Sequence, residues 1–570
     1  MSLAEARAVL TAPGAPFEME EVEIRGVATR VWKNTPSTLA VLTNQARMHG
    51  DRLFIICEEE RVSYEAHFRA AARLAHWLIG NGVAKGDRVA IAMRNLPEWP
   101  VIFFATTTIG AIAVPLNAWW SGQELSACMA DCGASLLFCD VERHQRIAPH
   151  IGELAQLRRL VVARTAGIVP GSALVLEDII GSPGGYERLP PGSLPDAVIS
   201  SDDDATIFYT SGTTGTAKGA VGTHRNILTN IHSTAYAAAR NFLRRGQPLP
   251  EPAPRVRLVA VPLFHATACS ASMITGMPAG NTNIFMRKWD AGEALRIIER
   301  ERVNITGGVP TIAWQLLEHV DRASHDISSL ESLAYGGAPS APELVRRIAS
   351  ELDAMPGNGW GMTETTATVT AHSAEDYLAR PDSCGPPVPV ADLKIVVPDG
   401  EAELPVGEVG ELWARGPMVV KGYWNRPEAT AATFVDRWVR TGDLARLDHE
   451  GFCYIVDRSK DVIIRGGENI YSIEVENALF DHPAVIDAAL IGLPHHSLGE
   501  EPAAVVQLAR GARATEADLQ GWVRARLAAF KVPVRIVFAQ TLPRNASGKI
   551  VKGDLRPLFQ HKGPQAKGDA

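Results

Sequence analysis

A chain of 570 residues is longer than one hydrophobic core can serve, so it must divide into two or more domains. Its net charge of −8 speaks against a nucleic-acid partner, which needs a basic face, and its 46% hydrophobic content supports a globular fold. Seven cysteines scattered over this length read as free thiols of a reducing compartment; with no Lys/Arg-led apolar segment at the start, the sequence predicts a cytoplasmic protein.

The first two-thirds of the chain alternates β-branched runs with helical patterns. Residues 88–93 predict a buried strand and residues 97–113 the helix that follows it. The apolar run from Val101 to Val114 stops at Pro115; it is too short to span a bilayer and reads as a buried helix. Cys128 and Cys132 lie four apart on a helical stretch without further ligands nearby, so they read as packed thiols rather than a metal site. Further strands are predicted at 135–139, 160–162, 205–209, 257–261, 303–306 and 332–335. Asp290 and Glu293 form a capping-box pattern that opens another helix. This order predicts an α/β fold of mostly parallel sheets covered by helices, with ligands beyond the strand C-termini. The glycines at 307–308, 336–337 and 357–361 mark a common cleft there.

From about residue 392 short strands divided by Asp-Gly and Glu-Gly turns predict an antiparallel β subdomain, 392–457. A charged junction, Asp457-Arg458-Ser459-Lys460-Asp461, follows. The expected division is a large domain, 1–457, a hinge, 458–461, and a small α+β domain, 462–570, whose polar tail from His561 is expected to be disordered.

The densest chemistry lies in Tyr209-Thr210-Ser211-Gly212-Thr213-Thr214-Gly215-Thr216-Ala217-Lys218-Gly219, which follows the predicted strand 205–209. Glycines let backbone N–H groups turn inward, the hydroxyls add donors, and the lysine adds a mobile charge, a combination suited to a polyphosphate. It is not a Walker A loop, because Gly215 stands three residues before Lys218 and Gly219 follows it. Asn358-Gly359-Trp360-Gly361-Met362-Thr363-Glu364-Thr365 offers a ring to stack on a base, a hydroxyl for a phosphate and a carboxylate oxygen for Mg²⁺. Thr441-Gly442-Asp443 taken alone reads as an ordinary turn aspartate, though a carboxylate in that position is also able to accept ribose hydroxyls. Pro262-Leu263-Phe264-His265 ends a strand in a histidine, and Pro543-Arg544-Asn545-Ala546-Ser547-Gly548-Lys549 is a basic loop.

In this order and spacing the motifs resemble those of the adenylate-forming superfamily of acyl-CoA synthetases, aryl-CoA ligases, luciferases and peptide-synthetase adenylation domains. The resemblance runs from about residue 40 to about residue 556. It includes Gly410-Glu411-Leu412-Trp413-Ala414-Arg415-Gly416, and it departs at Ala217, where the family usually has proline. It implies an acid–thiol ligase using ATP, Mg²⁺ and coenzyme A: a carboxylate attacks the α-phosphate, then a thiol attacks the acyl-adenylate and expels AMP. It also implies the roles. Thr210, Ser211, Gly212, Thr213, Thr214, Gly215 and Lys218 handle the β- and γ-phosphates; Thr363 touches the α-phosphate and Glu364 binds the metal. Gly336, Gly337 and Ala338 line the adenine and acyl pocket beside Gly359, Trp360 and Gly361, with Trp360 on the adenine. Asp443, helped by Arg458, holds the ribose, and Lys549 bridges the carboxylate and the α-phosphate. Lys460 is the hinge about which the small domain turns between half-reactions, bringing Gly466 and Gly467 to the coenzyme A channel.

By the same resemblance, His265, Gly308 and Tyr335 belong to the acyl pocket, and His265 also to the catalytic group. Most of the pocket's residues are small or apolar; it lacks the aspartate that amino-acid-activating relatives carry, and lacks an aromatic after His265 of the kind that gates some long-chain enzymes. A fatty acid of medium or long chain or an aromatic acid is expected. The alternatives are an adenylate former that serves a carrier protein and a non-catalytic nucleotide-binding relative. The partners expected are small molecules rather than nucleic acid or membrane, in a monomer or a homodimer.

Overall fold

A computed structural model describes residues 1–165, 171–210, 217–337, 341–545 and 548–559. The loop residues Ser211, Gly212, Thr213, Thr214 and Gly215, Ala338, and the tail from His561 lie outside the described residues.

Two large sheets form the base. A seven-stranded sheet holds Arg88–Ala92, Ile112–Pro115, Leu136–Asp140, Arg159–Ala163 and Leu174–Val175, and ends in Asp204–Thr210 and Lys218–Thr223. Its strands run parallel except for that last pair, which is antiparallel and brackets the phosphate-loop segment. An eight-stranded sheet has Val256–Val259, Thr282–Phe285, Ile305–Gly308, Ser332–Gly336 and Met355–Trp360 in parallel, with antiparallel pairs at its two edges. Parallel strands buried on both faces read as continuous apolar runs, as Arg88–Ala92 and Leu136–Asp140 do.

One element corrects the sequence expectation. The apolar run after residue 97 is not a single helix. It is a helix, Glu98–Thr107, then a turn with Gly110 at φ +76°, then the strand Ile112–Pro115. A run that is apolar on every side carries no helical period to show where it stops; Gly110 was the only punctuation. The helix is buried all round because it lies in a core shared by the two sheets. Phe103 and Phe104 belong to the same cluster as Val89 and Phe138 of one sheet and Ile55, Val259 and Phe285 of the other.

Antiparallel strands follow at Asp392–Val396, Gly410–Arg415, Phe434–Val435, Trp438–Leu447 and Cys453–Arg458. Beyond Arg458 a further sheet, containing Val485–His495, Gly499–Leu508 and Arg535–Phe538, has its own core with Ser472–Phe480 and Glu516–Arg524. Asp457 is buried at this junction, where it accepts from the backbone N–H and the hydroxyl of Ser472. The seven cysteines are all buried and unpaired. Among the described residues no helix is long and apolar enough to cross a membrane.

Candidate active site

Of the predicted site residues, Gly308, Gly336, Gly337, Gly359, Trp360 and Glu364 lie at or just beyond the ends of parallel strands of the eight-stranded sheet. Three of its glycines stand where no side chain fits. An added Cβ on Gly307 would lie 1.7 Å from the Ala334 carbonyl oxygen, and one on Gly336 would lie 2.8 Å from that of Gly359. On Gly361 it would lie 1.2 Å from the Ala367 oxygen, so this loop folds back on itself only with glycine. Gly361→Ala is therefore expected to cost at least about 3 kcal/mol, because backbone rather than a flexible side chain must move. Thermal unfolding of the variant beside wild type measures this.

Past Gly361 the chain makes a short turn, Thr363–Thr365, that places Glu364 in a buried position. Its Oε1 accepts from the Tyr423 hydroxyl at 2.6 Å, and its backbone oxygen accepts from Val420 N. Burial first, and then the Glu364 charge, hold the Tyr423 phenol well above the usual tyrosine range, so it stays protonated and donates. Lys218 leaves the phosphate-loop segment as the first residue of its strand, and its ammonium stands 5.1 Å from the centre of the Tyr423 ring. Tyr423 had no role in the sequence reading. Its only signal there was a Gly-Tyr pair after the strand Gly410–Arg415.

Asp443 is 5% exposed. Thr441-Gly442-Asp443 is not a turn between strands, as expected, but a bulge inside Trp438–Leu447, opposite a register shift at Glu411/Trp413. Gly442 takes φ +69° there, and the Thr441 hydroxyl donates to Leu412 O and accepts from Asp443 N. Asp443 accepts from the Trp360 indole N–H at 2.8 Å and from Arg458 Nε at 2.9 Å. Each carboxylate oxygen keeps a lone pair for a further donor. Trp360 packs in the core beneath the β subdomain, so it enters the site first as a support of Asp443.

Lys549 reaches this group from the small C-terminal unit. Asn545 Oδ1 holds its backbone N–H, and an added Cβ on Gly337 would lie 3.4 Å from Lys549 Cε and 3.7 Å from Nζ. The Lys549 ammonium is held below the usual lysine range, by burial first and then by the Arg458 cation, with Asp443 and Glu364 pulling the other way and Lys460 adding to the depression. The role the sequence resemblance implies for Lys549 needs the protonated form, so on that expectation the first half-reaction falls as pH rises through this lowered value. Lys549→Arg should move the limb to higher pH, and ATP–pyrophosphate exchange against pH reads it.

His265 caps the short helix Ala266–Ala268 rather than ending a strand. Burial, helped by Lys549, pushes its pKa down to about 4, so the ring is neutral at pH 7. Its Nε2 is buried and has no hydrogen-bond partner among the described residues. Gly308 closes the same region: a Cβ there would meet Ile312 Cδ1 and Val261 Cγ2, both at 2.7 Å. Strand alternation turns the Tyr335 ring into the core with Leu333 and Leu344, where its hydroxyl accepts from that of Tyr377. Thr363 follows Met362 at the mouth of the turn, and Thr210 and Gly359 sit at or near strand ends. Lys460 is exposed in the turn after Arg458. Gly466 and Gly467 form the exposed turn of a hairpin, at φ +61° and +90°.

A cavity of about 230 Å³ opens beside Phe264, Trp289, Val309 and Ile312, and Asn545 and Gly548 form part of its wall. Arg94, Arg287, Lys288 and Arg544 also line it, without a single carboxylate. Asn95 fixes its inner edge by accepting from Leu263 N and donating to Val261 O.

A magnesium ion fits the donors present. Mg²⁺ prefers one or two carboxylates plus substrate phosphate oxygens, and the buried carboxylate of Glu364 is a donor of that kind. Among the described residues no cluster of three or more metal-binding side chains occurs, and such a site needs none.

Residues 42–424 match the family described as AMP-binding enzyme, and residues 474–549 match the AMP-binding enzyme C-terminal domain. A feruloyl-CoA synthase of Amycolatopsis sp is 37% identical over 498 residues, covering 87% of this chain and 94% of that protein. The long-chain-fatty-acid–CoA ligase FadD13 of Mycobacterium tuberculosis H37Rv is 34% identical over 508 residues, with 89% and 94% covered. The crystal structure of the anthranilate CoA ligase AuaEII in complex with anthranoyl-AMP superposes with a TM-score of 0.82 at 25% identity, covering 92% and 98%. The converging Lys549, Glu364 and Asp443 and these matches agree: the chain belongs to the AMP-binding enzymes, the adenylate-forming superfamily of acyl- and aryl-CoA ligases.

Proposed function

We propose that the protein activates an apolar carboxylic acid, with an aromatic acid of the hydroxycinnamate or benzoate kind as the first choice, to its coenzyme A thioester. The observation that carries the reaction is the placement of Lys549 against Gly337 within a group containing Asp443, Arg458 and Glu364. The chemical problem of the first step is that a carboxylate must approach a polyanion. Lys549 is placed to draw the acid's oxygen toward the α-phosphate, and Lys218 to neutralise the departing pyrophosphate. Asp443 accepts the ribose hydroxyls, and Thr363 donates to the α-phosphate. Bound at Glu364, Mg²⁺ would supply Lewis-acid neutralisation of the phosphate oxygens.

The acid lies along Gly308 and the segment from His265 to Ile274. That segment buries Ala266, Ala268, Cys269, Met273 and Ile274 and carries no charged side chain. The aromatic choice is supported by the feruloyl-CoA synthase likeness and by the anthranilate ligase superposition. A fatty acid is the second reading, supported by the FadD13 likeness.

The second step needs a different arrangement. The cation-lined cavity suits the phosphates of coenzyme A, yet the loop that delivers Lys549 forms part of its wall. We propose that the unit from residue 462 onward turns about Lys460, withdrawing this loop and bringing Gly466 and Gly467 to the thiol path. Release of AMP from ATP with a panel of aromatic and fatty acids, with and without coenzyme A, tests the proposal. Turnover that requires coenzyme A supports a ligase. Acyl-adenylate that accumulates despite coenzyme A points to a carrier protein, and no turnover with any acid overturns the catalytic reading.

A further inference from the structure

One segment joins described residues on either side of the phosphate-loop segment. Residues 421–424 lie antiparallel to the strand Lys218–Thr223, through Lys421 N to Val221 O at 2.9 Å, Val221 N to Gly422 O at 2.9 Å and Trp424 N to Gly219 O at 2.7 Å. Two residues on, Arg426 Nη2 pairs with Asp131 at 2.6 Å, and the other oxygen of Asp131 accepts from the Tyr209 hydroxyl at 2.7 Å. The strap is therefore tied to the strand that enters the phosphate loop and to the strand that leaves it. Tyr423 projects from its middle. Its backbone N–H is held by Thr430 Oγ1 at 2.9 Å and its ring packs edge-on against Phe434, so the side chain has little freedom.

We infer that Tyr423 is a positioning residue that sets the Glu364 carboxylate for its divalent cation and keeps that carboxylate in register with Lys218. The phenol occupies Glu364 Oε1 at 2.6 Å and so directs Oε2 to the ion, while the face of the same ring stands beside the Lys218 ammonium. A partner that orients a metal ligand shapes affinity nearly as strongly as the ligand itself, because a carboxylate free to rotate must be ordered when the ion binds. The inference rests on the reading that Glu364 binds the metal.

Tyr423→Phe keeps the ring and removes the hydrogen bond. Binding of Mn²⁺·ATP to the full-length protein, followed by the paramagnetic signal of free Mn²⁺, should weaken by about 10- to 100-fold. Binding of ATP alone in chelator should stay within about twofold of wild type, since a lost hydrogen bond at the metal leaves the other nucleotide contacts in place. Equal weakening of both would mean general damage and would overturn the inference. Glu364→Gln separates the two ideas. If it weakens Mn²⁺·ATP binding and Tyr423→Phe does not, the positioning role fails alone; if neither does, the metal role of Glu364 fails and takes the inference with it.

Discussion

Lys549→Ala is expected to lower ATP–pyrophosphate exchange by about 10²–10³-fold, while thioester formation from supplied acyl-adenylate and coenzyme A stays near the wild-type rate. The loss follows from position. The ammonium comes from the small unit to within reach of Gly337, and it stands among the charges of Arg458, Asp443 and Glu364. The sparing follows because acyl-adenylate already contains the bond that Lys549 helps to form. Unimpaired exchange would remove Lys549 from the chemistry, and equal loss of both half-reactions would show that the residue holds the fold rather than the reacting groups.

Asp443→Ala should raise KM for ATP by about two orders of magnitude, the range seen when one partner of a buried, hydrogen-bonded charge is removed. Two donors lose their acceptor together, the Trp360 indole and the Arg458 guanidinium, and on the proposed function the incoming ribose loses it too. Arg458 is then left without its carboxylate, beside a Lys549 already held below its usual range. Asp443→Asn retains an acceptor for Trp360 and gives up the ion pair, so it should fall between alanine and wild type. Isothermal titration with ATP orders the three proteins. An alanine variant that binds ATP as wild type does would place the ribose elsewhere.

Much of this site is legible in the sequence because its motifs are local. The strand Asp204–Thr210 shows in its apolar, β-branched run, and Gly359 and Gly361 show as glycines that the close backbone approach requires. What the sequence hides are contacts between distant segments. Nothing near Tyr423 indicates that its hydroxyl meets Glu364, and Asp443 looks like a turn residue because a bulge and a turn use the same Gly-Asp vocabulary. The core packing of Tyr335 is hidden in the same way: the two-residue period of a strand puts its ring on the face of Leu333, and its partner Tyr377 lies far along the chain. The end of Glu98–Thr107 is invisible where burial on every side erases amphipathic period.

The same helix has a consequence for how the site comes to be ready. Glu98–Thr107 fills the space between the two large sheets so completely that they share one cluster of side chains. Interiors of this density do not shear without opening voids. The strand ends that carry Lys218 on one sheet and Gly308, Gly337 and Trp360 on the other are thus held in fixed relation before any nucleotide arrives. The rigidity that catalysis needs on this side of the cleft is settled at folding rather than on substrate binding.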